Sequence, residues 1–112
     1  MTIQHKELSE GKWAKMSIVE QMGNVGSEVS RCIKWKNLND KRNSTFAFER
    51  ALELLDMTIQ DQKNIKRLRE LTRVREAFID FIEFDNQYQS TDSQWNKYFL
   101  DFGYAARKIK TA

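Results

Sequence analysis

Apolar side chains recur along this chain at intervals of three and four residues, the period of a helix face rather than of a strand. Ile18, Met22, Val25, Val29, Cys32 and Ile33 form one such stripe and predict a helix over about 17–36. Ser17 precedes it and Glu20 follows, the spacing at which a capping serine and a returning carboxylate satisfy each other's backbone donors. Phe48, Ala51, Leu52, Leu55 and Ile59, widened by Ala47 and Leu54, predict a second helix over about 45–60, with Ser44 as its cap. Leu68, Leu71, Phe78, Ile79 and Ile82, with Val74 and Phe81, predict a third over about 64–84. Trp95, Tyr98, Phe99, Phe102, Ala105, Ala106 and Ile109 predict a fourth over about 92–109, and Thr91 with Gln94 repeats the capping spacing at its start.

Between these stripes lie Asn37–Asn43, Asp61–Asn64 and Asp85–Ser90, rich in the Asn and Asp that turns favour. Residues 1–16 are the least patterned, with Leu8, Trp13 and Met16 as the anchors of an arm or short helix. The expected architecture is all-α: an antiparallel four-helix bundle over 17–112, preceded by an N-terminal arm over 1–16. Gly23, Ser27 and Ser30 share one face of the first helix, where small side chains let another backbone come close.

Composition agrees. The 112 residues contain no proline and four glycines, too few for the turns of a β-rich domain of this size. A length of this order is one domain. Cys32 is the one cysteine, which excludes an internal disulfide and a cysteine-built zinc site; on the apolar stripe it reads as a small core residue. No run approaches the roughly 20 apolar residues of a membrane span, and the N-terminus lacks a signal-peptide core, so the expected location is cytoplasmic. His5 stands alone, and neither a Gly-rich phosphate loop nor a Glu-x-x-His pair occurs, so no metal, cofactor or catalytic constellation is expected.

The net charge of +3 is mild, but the charge comes in blocks. Residues 44–62 carry one Arg against four acids, and residues 63–76 carry six bases against two acids. Residues 77–92 carry four acids and no base, and residues 93–112 carry four bases against one acid. Within the basic block Lys66, Arg69 and Arg73 fall at i, i+3 and i+7, one helix face, with Lys63 and Arg67 beside them. Lys34, Trp35, Lys36, Lys41 and Arg42 form a second cluster, and Arg107, Lys108 and Lys110 end the chain. Such clusters suit phosphates, and an aromatic ring among lysines suits a stacked base. They suit helix-end electrostatics and a solvated face as well. Arg75 lies seven residues from Leu68 and Ile82 and four from Leu71 and Ile79, on or beside the core stripe. It therefore calls for a buried partner among Glu28, Glu49, Glu53 and Asp56, or lines a pocket. Tyr88 and Tyr104 are aromatics beyond the needs of the core and suit a partner surface.

The runs Gly26-Ser27-Glu28-Val29-Ser30-Arg31-Cys32-Ile33-Lys34-Trp35-Lys36-Asn37 and Ala47-Phe48-Glu49-Arg50-Ala51-Leu52-Glu53-Leu54-Leu55-Asp56, with Asp85-Asn86-Gln87-Tyr88 and Tyr104-Ala105-Ala106-Arg107, resemble a family of short prokaryotic all-helical proteins without an assigned function. That resemblance covers most of the chain from about residue 17 and implies a fold, not a mechanism. A wider similarity in shape is to HEPN-type helical bundles, which include RNases and the partners of minimal nucleotidyltransferases. Their signature, Arg followed after four residues by His, is missing here, so their RNase chemistry is not implied. Size and charge also resemble small basic four-helix proteins that form rings and bind nucleic acid beside a larger enzyme.

The sequence thus supports a non-catalytic accessory protein, a homo-oligomer or bound to a partner protein, that binds nucleic acid or a nucleic-acid-processing enzyme through its basic clusters. The alternative is an interaction module with no nucleic-acid role, meeting its partner through the fourth helix and the 85–90 loop. An enzyme would need Arg75 and nearby carboxylates to line an open pocket.

Overall fold

Each predicted stripe forms a helix, and local capping chemistry sets where most of them begin. The computed structural model describes residues 11–111, with side chains as far as Lys108, so Leu8, His5 and most of the predicted arm lie outside the described residues. The elements are α1 (Gly11–Ala14), α2 (Ile18–Asn37), α3 (Lys41–Gln60), a 3₁₀ helix (Gln62–Arg67), α4 (Leu68–Glu83) and α5 (Asp92–Thr111). Helix accounts for 85% of the described residues, and none of them is in a strand. Ser17 Oγ accepts from the Glu20 amide at 3.1 Å, while Glu20 Oε1 accepts from the Ser17 amide at 3.4 Å. Thr91 and Gln94 make the same reciprocal pair at the head of α5, at 3.1 and 3.0 Å.

Two boundaries differ from the expectation. The second long helix begins at Lys41, because Asp40 caps it: its Oδ1 accepts from the Asn43 amide at 3.0 Å. That bond, then the one from the Asn43 side chain, holds the Asp40 carboxyl below the usual carboxylate range. Ser44, the expected cap, is buried instead, its hydroxyl donating to the Cys32 carbonyl at 3.2 Å. The turn shrinks to Leu38–Asp40, with Asn39 in the left-handed region (φ 59°) that asparagine tolerates. Lys41 and Arg42 therefore stand on a helix rather than in a loop. The third stripe is also split. Asp61 Oδ1 accepts from the Lys63 amide at 3.1 Å and starts the 3₁₀ helix, and α4 follows from Leu68.

A buried polar network explains that split. Gln21 is fully buried on α2; its Nε2 donates to the Trp13 carbonyl and to Asp61 Oδ2, both at 2.9 Å. Its Oε1 accepts from Asn64 Nδ2 at 2.8 Å, and Asn64 also donates to the Thr58 carbonyl at 3.0 Å. Trp13 Nε1 donates to Thr58 Oγ1 at 3.3 Å, so α1 is pinned to the end of α3. Drawing Asn64 inward tightens the backbone around it and leaves no room for a regular helical start. Each of these groups, buried without its partner, would cost about 1–3 kcal/mol.

α2 packs along both α3 and α5, and α3 packs on α4. The core joins Met22, Val25 and Val29 of α2, Ala51, Leu54 and Leu55 of α3, Leu71 and Phe78 of α4, and Trp95 and Phe99 of α5. Glycine permits the α2–α5 contact. A Cβ at Gly26 would lie 2.5 Å from Phe99 Cβ and 2.9 Å from its ring, and a Cβ at Gly23 would lie 3.8 Å from Gly103 Cα. The small-residue face expected from Gly23, Ser27 and Ser30 is thus realised at Gly23, while both serines are exposed and the tightest approach is at Gly26.

Gly26→Ala and Gly103→Ala are predicted to shift stability in opposite directions. Overpacking against Phe99 costs about 1–3 kcal/mol, against a helix-propensity gain of about 1 kcal/mol. A Cβ at Gly103 meets nothing within 4 Å and keeps the propensity gain. In thermal unfolding followed by circular dichroism, Gly26→Ala melts below the parent and Gly103→Ala about 4 °C or more above it. A Gly26→Ala protein at least as stable as the parent would show that α2 and α5 are not in this contact.

Candidate functional site

α5 lies on α2 rather than on α4, and the space this leaves between α4 and α5 is a cleft of about 700 Å³. That lies within the roughly 300–1,000 Å³ of small-molecule sites. Trp95 of α5 lines the cleft and is seated on the core rings, edge-on to Phe78 at 5.6 Å and beside Phe81 at 6.2 Å. Val74, Ala77 and Trp95 form an apolar floor, and Tyr88 and Tyr98 contribute aromatic walls. Lys66, Arg69 and Arg73 form the rim, but not from one regular helix face: Lys66 sits on the 3₁₀ helix, and Arg69 and Arg73 on successive turns of α4.

The bases of this region fall into two sets. Lys63 pairs with Asp61, Arg67 with Glu70 at 2.8 Å, and Arg75 with Asp56 at 2.7 Å. Lys66, Arg69 and Arg73 are exposed and form no ion pair among the described residues. The free cations are those that rim the cleft, so its mouth is positive.

Two tethers hold the walls. Glu70 accepts from the Tyr98 hydroxyl at 2.6 Å through one oxygen and from Arg67 at 2.8 Å through the other, tying the start of α4 to α5. Burial pushes the Tyr98 phenol up, and the bond to the Glu70 carboxylate pushes it further. Burial also raises Glu70, but the bonds from Tyr98 and Arg67 outweigh it and leave the carboxyl below its usual range. The second tether is the loop after α4. Asn86 and Ser90 bond each other twice at 2.9 Å, and Asn86 and Gln89 both take φ 54°. Asp80 accepts from the Tyr88 amide at 3.1 Å, and Glu76 accepts from its hydroxyl at 3.3 Å. Tyr88 is held from both ends while its side chain stays about half exposed.

The second basic cluster goes elsewhere. None of residues 34–42 lines the α4–α5 cleft. Lys34 sits over the half-buried Trp35 ring at 5.4 Å and borders the α2–α5 groove. Lys36 donates to the Phe81 carbonyl at 3.4 Å and lies 4.4 Å from that ring's centre, so it fastens α2 to α4. Lys36 and Lys41 share a smaller cavity with Glu83, whose carboxylate offsets their charge, and Arg42 is exposed. Arg75 is paired but not buried: it and Asp56 are 35% and 37% exposed, because Leu71 and Phe78 take the inward positions and leave Arg75 at the α3–α4 seam. Glu28 and Glu53 are the buried carboxylates among the described residues, and Glu28 is held by Arg31 at 2.8 Å and Arg50 at 3.3 Å. Tyr104 is exposed on α5, one turn from exposed Leu100. Cys32 is buried, which raises its thiol despite the bond to Ser44.

Trp95, Tyr98, Glu70 and Gln94 belong to the cleft and were not anticipated there. In sequence Trp95 and Tyr98 carry only the signal of core packing and Gln94 that of a helix cap, and the pairing of Tyr98 with Glu70 joins positions 28 apart. Among the described residues no group of three or more His, Cys, Asp or Glu could hold a metal ion. No helix is long and apolar enough to cross a membrane. Neither a protein family, nor a curated protein, nor a solved structure matches this chain.

The Glu70 tether is predicted to be acid-labile. Its carboxyl titrates lower in the folded chain than in the unfolded one, so its contribution is fully present above the ordinary glutamate value and is lost as pH falls through the folded value. Tyr98→Phe removes the strongest donor and costs about 1 kcal/mol at neutral pH, given the partial exposure of Glu70. In urea unfolding, parent and variant converge as the pH drops into the acid range. A constant difference between them at every pH would contradict the tether.

Proposed function

We propose that this chain is a non-catalytic accessory module that binds single-stranded nucleic acid, without sequence preference, in the cleft between α4 and α5. The observation that carries the reading is the convergence of three unpaired cations, Lys66, Arg69 and Arg73, with the aromatic side chains Tyr88, Tyr98 and Trp95 around one cavity. A positive groove that meets phosphates, beside rings that meet bases, is how sequence-tolerant single-strand binding is built. A duplex keeps its bases stacked inside and would use the cations alone, leaving the apolar floor without a role. In this reading α2 to α5 form an antiparallel four-helix bundle, and the protein works in the cytoplasm beside a nucleic-acid-processing enzyme. The Lys34–Arg42 cluster takes no part in binding: Lys36 is committed to Phe81, and Lys34, Lys41 and Arg42 are exposed surface.

The span of the cations sets a magnitude. Lys66 to Arg73 covers seven residues, or roughly 10 Å at about 1.5 Å per residue, room for two or three phosphates. Each phosphate contributes about 0.7 to the salt slope of a single strand, so affinity falls roughly tenfold between about 50 and 200 mM salt.

Fluorescence anisotropy of labelled single-stranded RNA and DNA tests this. Arg69→Ala with Arg73→Ala is expected to weaken binding and to flatten the salt slope by about 1.4. Lys34→Ala with Lys41→Ala is expected to stay within about twofold of the parent. Lack of binding at the lower salt, or equal losses from the two double variants, would overturn the reading.

A further inference from the structure

We propose that the cleft admits one unstacked nucleobase, with Tyr88 as its stacking surface and Arg69 and Arg73 holding the adjoining phosphates. This inference rests on the single-strand reading above and goes further, since phosphate contacts alone would need no cavity.

Cations that only meet phosphates work from any exposed helix face. Here they rim a cavity of about 700 Å³ whose floor, Val74, Ala77 and Trp95, offers nothing to a phosphate. What enters must be apolar on its faces and attached to a negative charge, which describes a nucleobase on its sugar-phosphate. Tyr88 suits the stacking role because its position is fixed before any ligand arrives. Its amide is held by Asp80, its hydroxyl by Glu76, and its loop by the paired bonds of Asn86 and Ser90. A ring ordered in advance loses little freedom on stacking.

The polar groups fit the edge of a base. Gln94 and Ser90 line the α5 side of the cleft, and an amide and a hydroxyl can each donate or accept. Trp95 Nε1 is a buried donor without a hydrogen-bond partner, and buried donors are ordinarily satisfied. Charge then sets the direction of entry. Glu76 and Asp80 flank Tyr88 and repel phosphates from the loop end, while Lys66 on the 3₁₀ helix and Arg69 and Arg73 on α4 attract them along the opposite rim. The strand therefore crosses the mouth on the α4 side and turns one base inward. The same chemistry exists in a free nucleoside 5′-phosphate, so the test separates the two sources.

The test compares a single-stranded DNA with an abasic strand of equal length and charge, both read by anisotropy, with adenosine 5′-phosphate as an unlabelled competitor. Base insertion predicts that the abasic strand binds about 5- to 150-fold more weakly, the range of one stacked base. Tyr88→Ala lowers the normal strand to the level of the abasic one. Tyr88→Phe keeps the ring and retains most of the preference. Competition by adenosine 5′-phosphate as strong, mole for mole, as that by the unlabelled strand would support the pocket and assign it to free nucleotides. Equal binding of normal and abasic strands would overturn the insertion while leaving the single-strand reading in place. Binding of neither strand, with no nucleotide bound in equilibrium dialysis, would overturn both.

Discussion

The contact between Gly26 and Phe99 decides where α5 lies, and most of the cleft follows from it. No other residue type fits there, because a Cβ on position 26 would be 2.5 Å from Phe99. With the contact in place, α5 rests on α2 and stays away from the backbone of α4. Phe99 then passes its position on. Trp95 stacks with it at 6.2 Å and 17°, and Tyr98 meets it edge-on at 5.0 Å. Trp95 is the floor of the cleft and Tyr98 one wall, so both are located by a glycine on a different helix. From Trp95 the ring contacts continue to Phe78 and then to Phe48, at 5.6 and 5.4 Å, which link the cleft to the α3–α4 core.

Charge is distributed to match. Exposed ion pairs add little stability, on the order of 0–1 kcal/mol, so the pairs formed by Lys63, Arg67 and Arg75 matter mainly for what they occupy. They remove three bases of the 63–76 block from any ligand and leave Lys66, Arg69 and Arg73 facing the cleft. Two acids at the junction of this block with the next do the opposite work: Glu76 and Asp80 spend their oxygens on Tyr88 and keep its ring in place. The alternation of sign along the sequence thus becomes a positive rim and a negatively anchored aromatic wall.

Local chemistry was legible in the sequence and tertiary chemistry was not. The caps at Ser17 and Thr91 could be read because both partners sit within four residues. Helix periods were legible for the same reason. The start of α3 was not, since Asp40 and Ser44 are equally good caps and only the burial of Ser44 under Cys32 chooses between them. The 3₁₀ helix was hidden because its cause is Gln21, 43 positions from Asn64. The close contact at Gly26 was hidden too, since the side chain it makes room for lies on α5. The two basic clusters looked alike for a similar reason: Lys36 differs from Arg69 only in having Phe81 above it. Arg75 looked buried because the stripe on α4 is broad, and a base at its edge has the same spacing as one at its centre.

The most direct measurement is an amide chemical-shift titration of the isotope-labelled protein with an unlabelled single strand. Shifts confined to about 66–77 and 88–98, both sides of the α4–α5 cleft, with residues 34–42 still, are the expected result. Shifts centred on 34–42, or an unchanged spectrum at millimolar strand and low salt, would contradict the assignment of the cleft as the binding site.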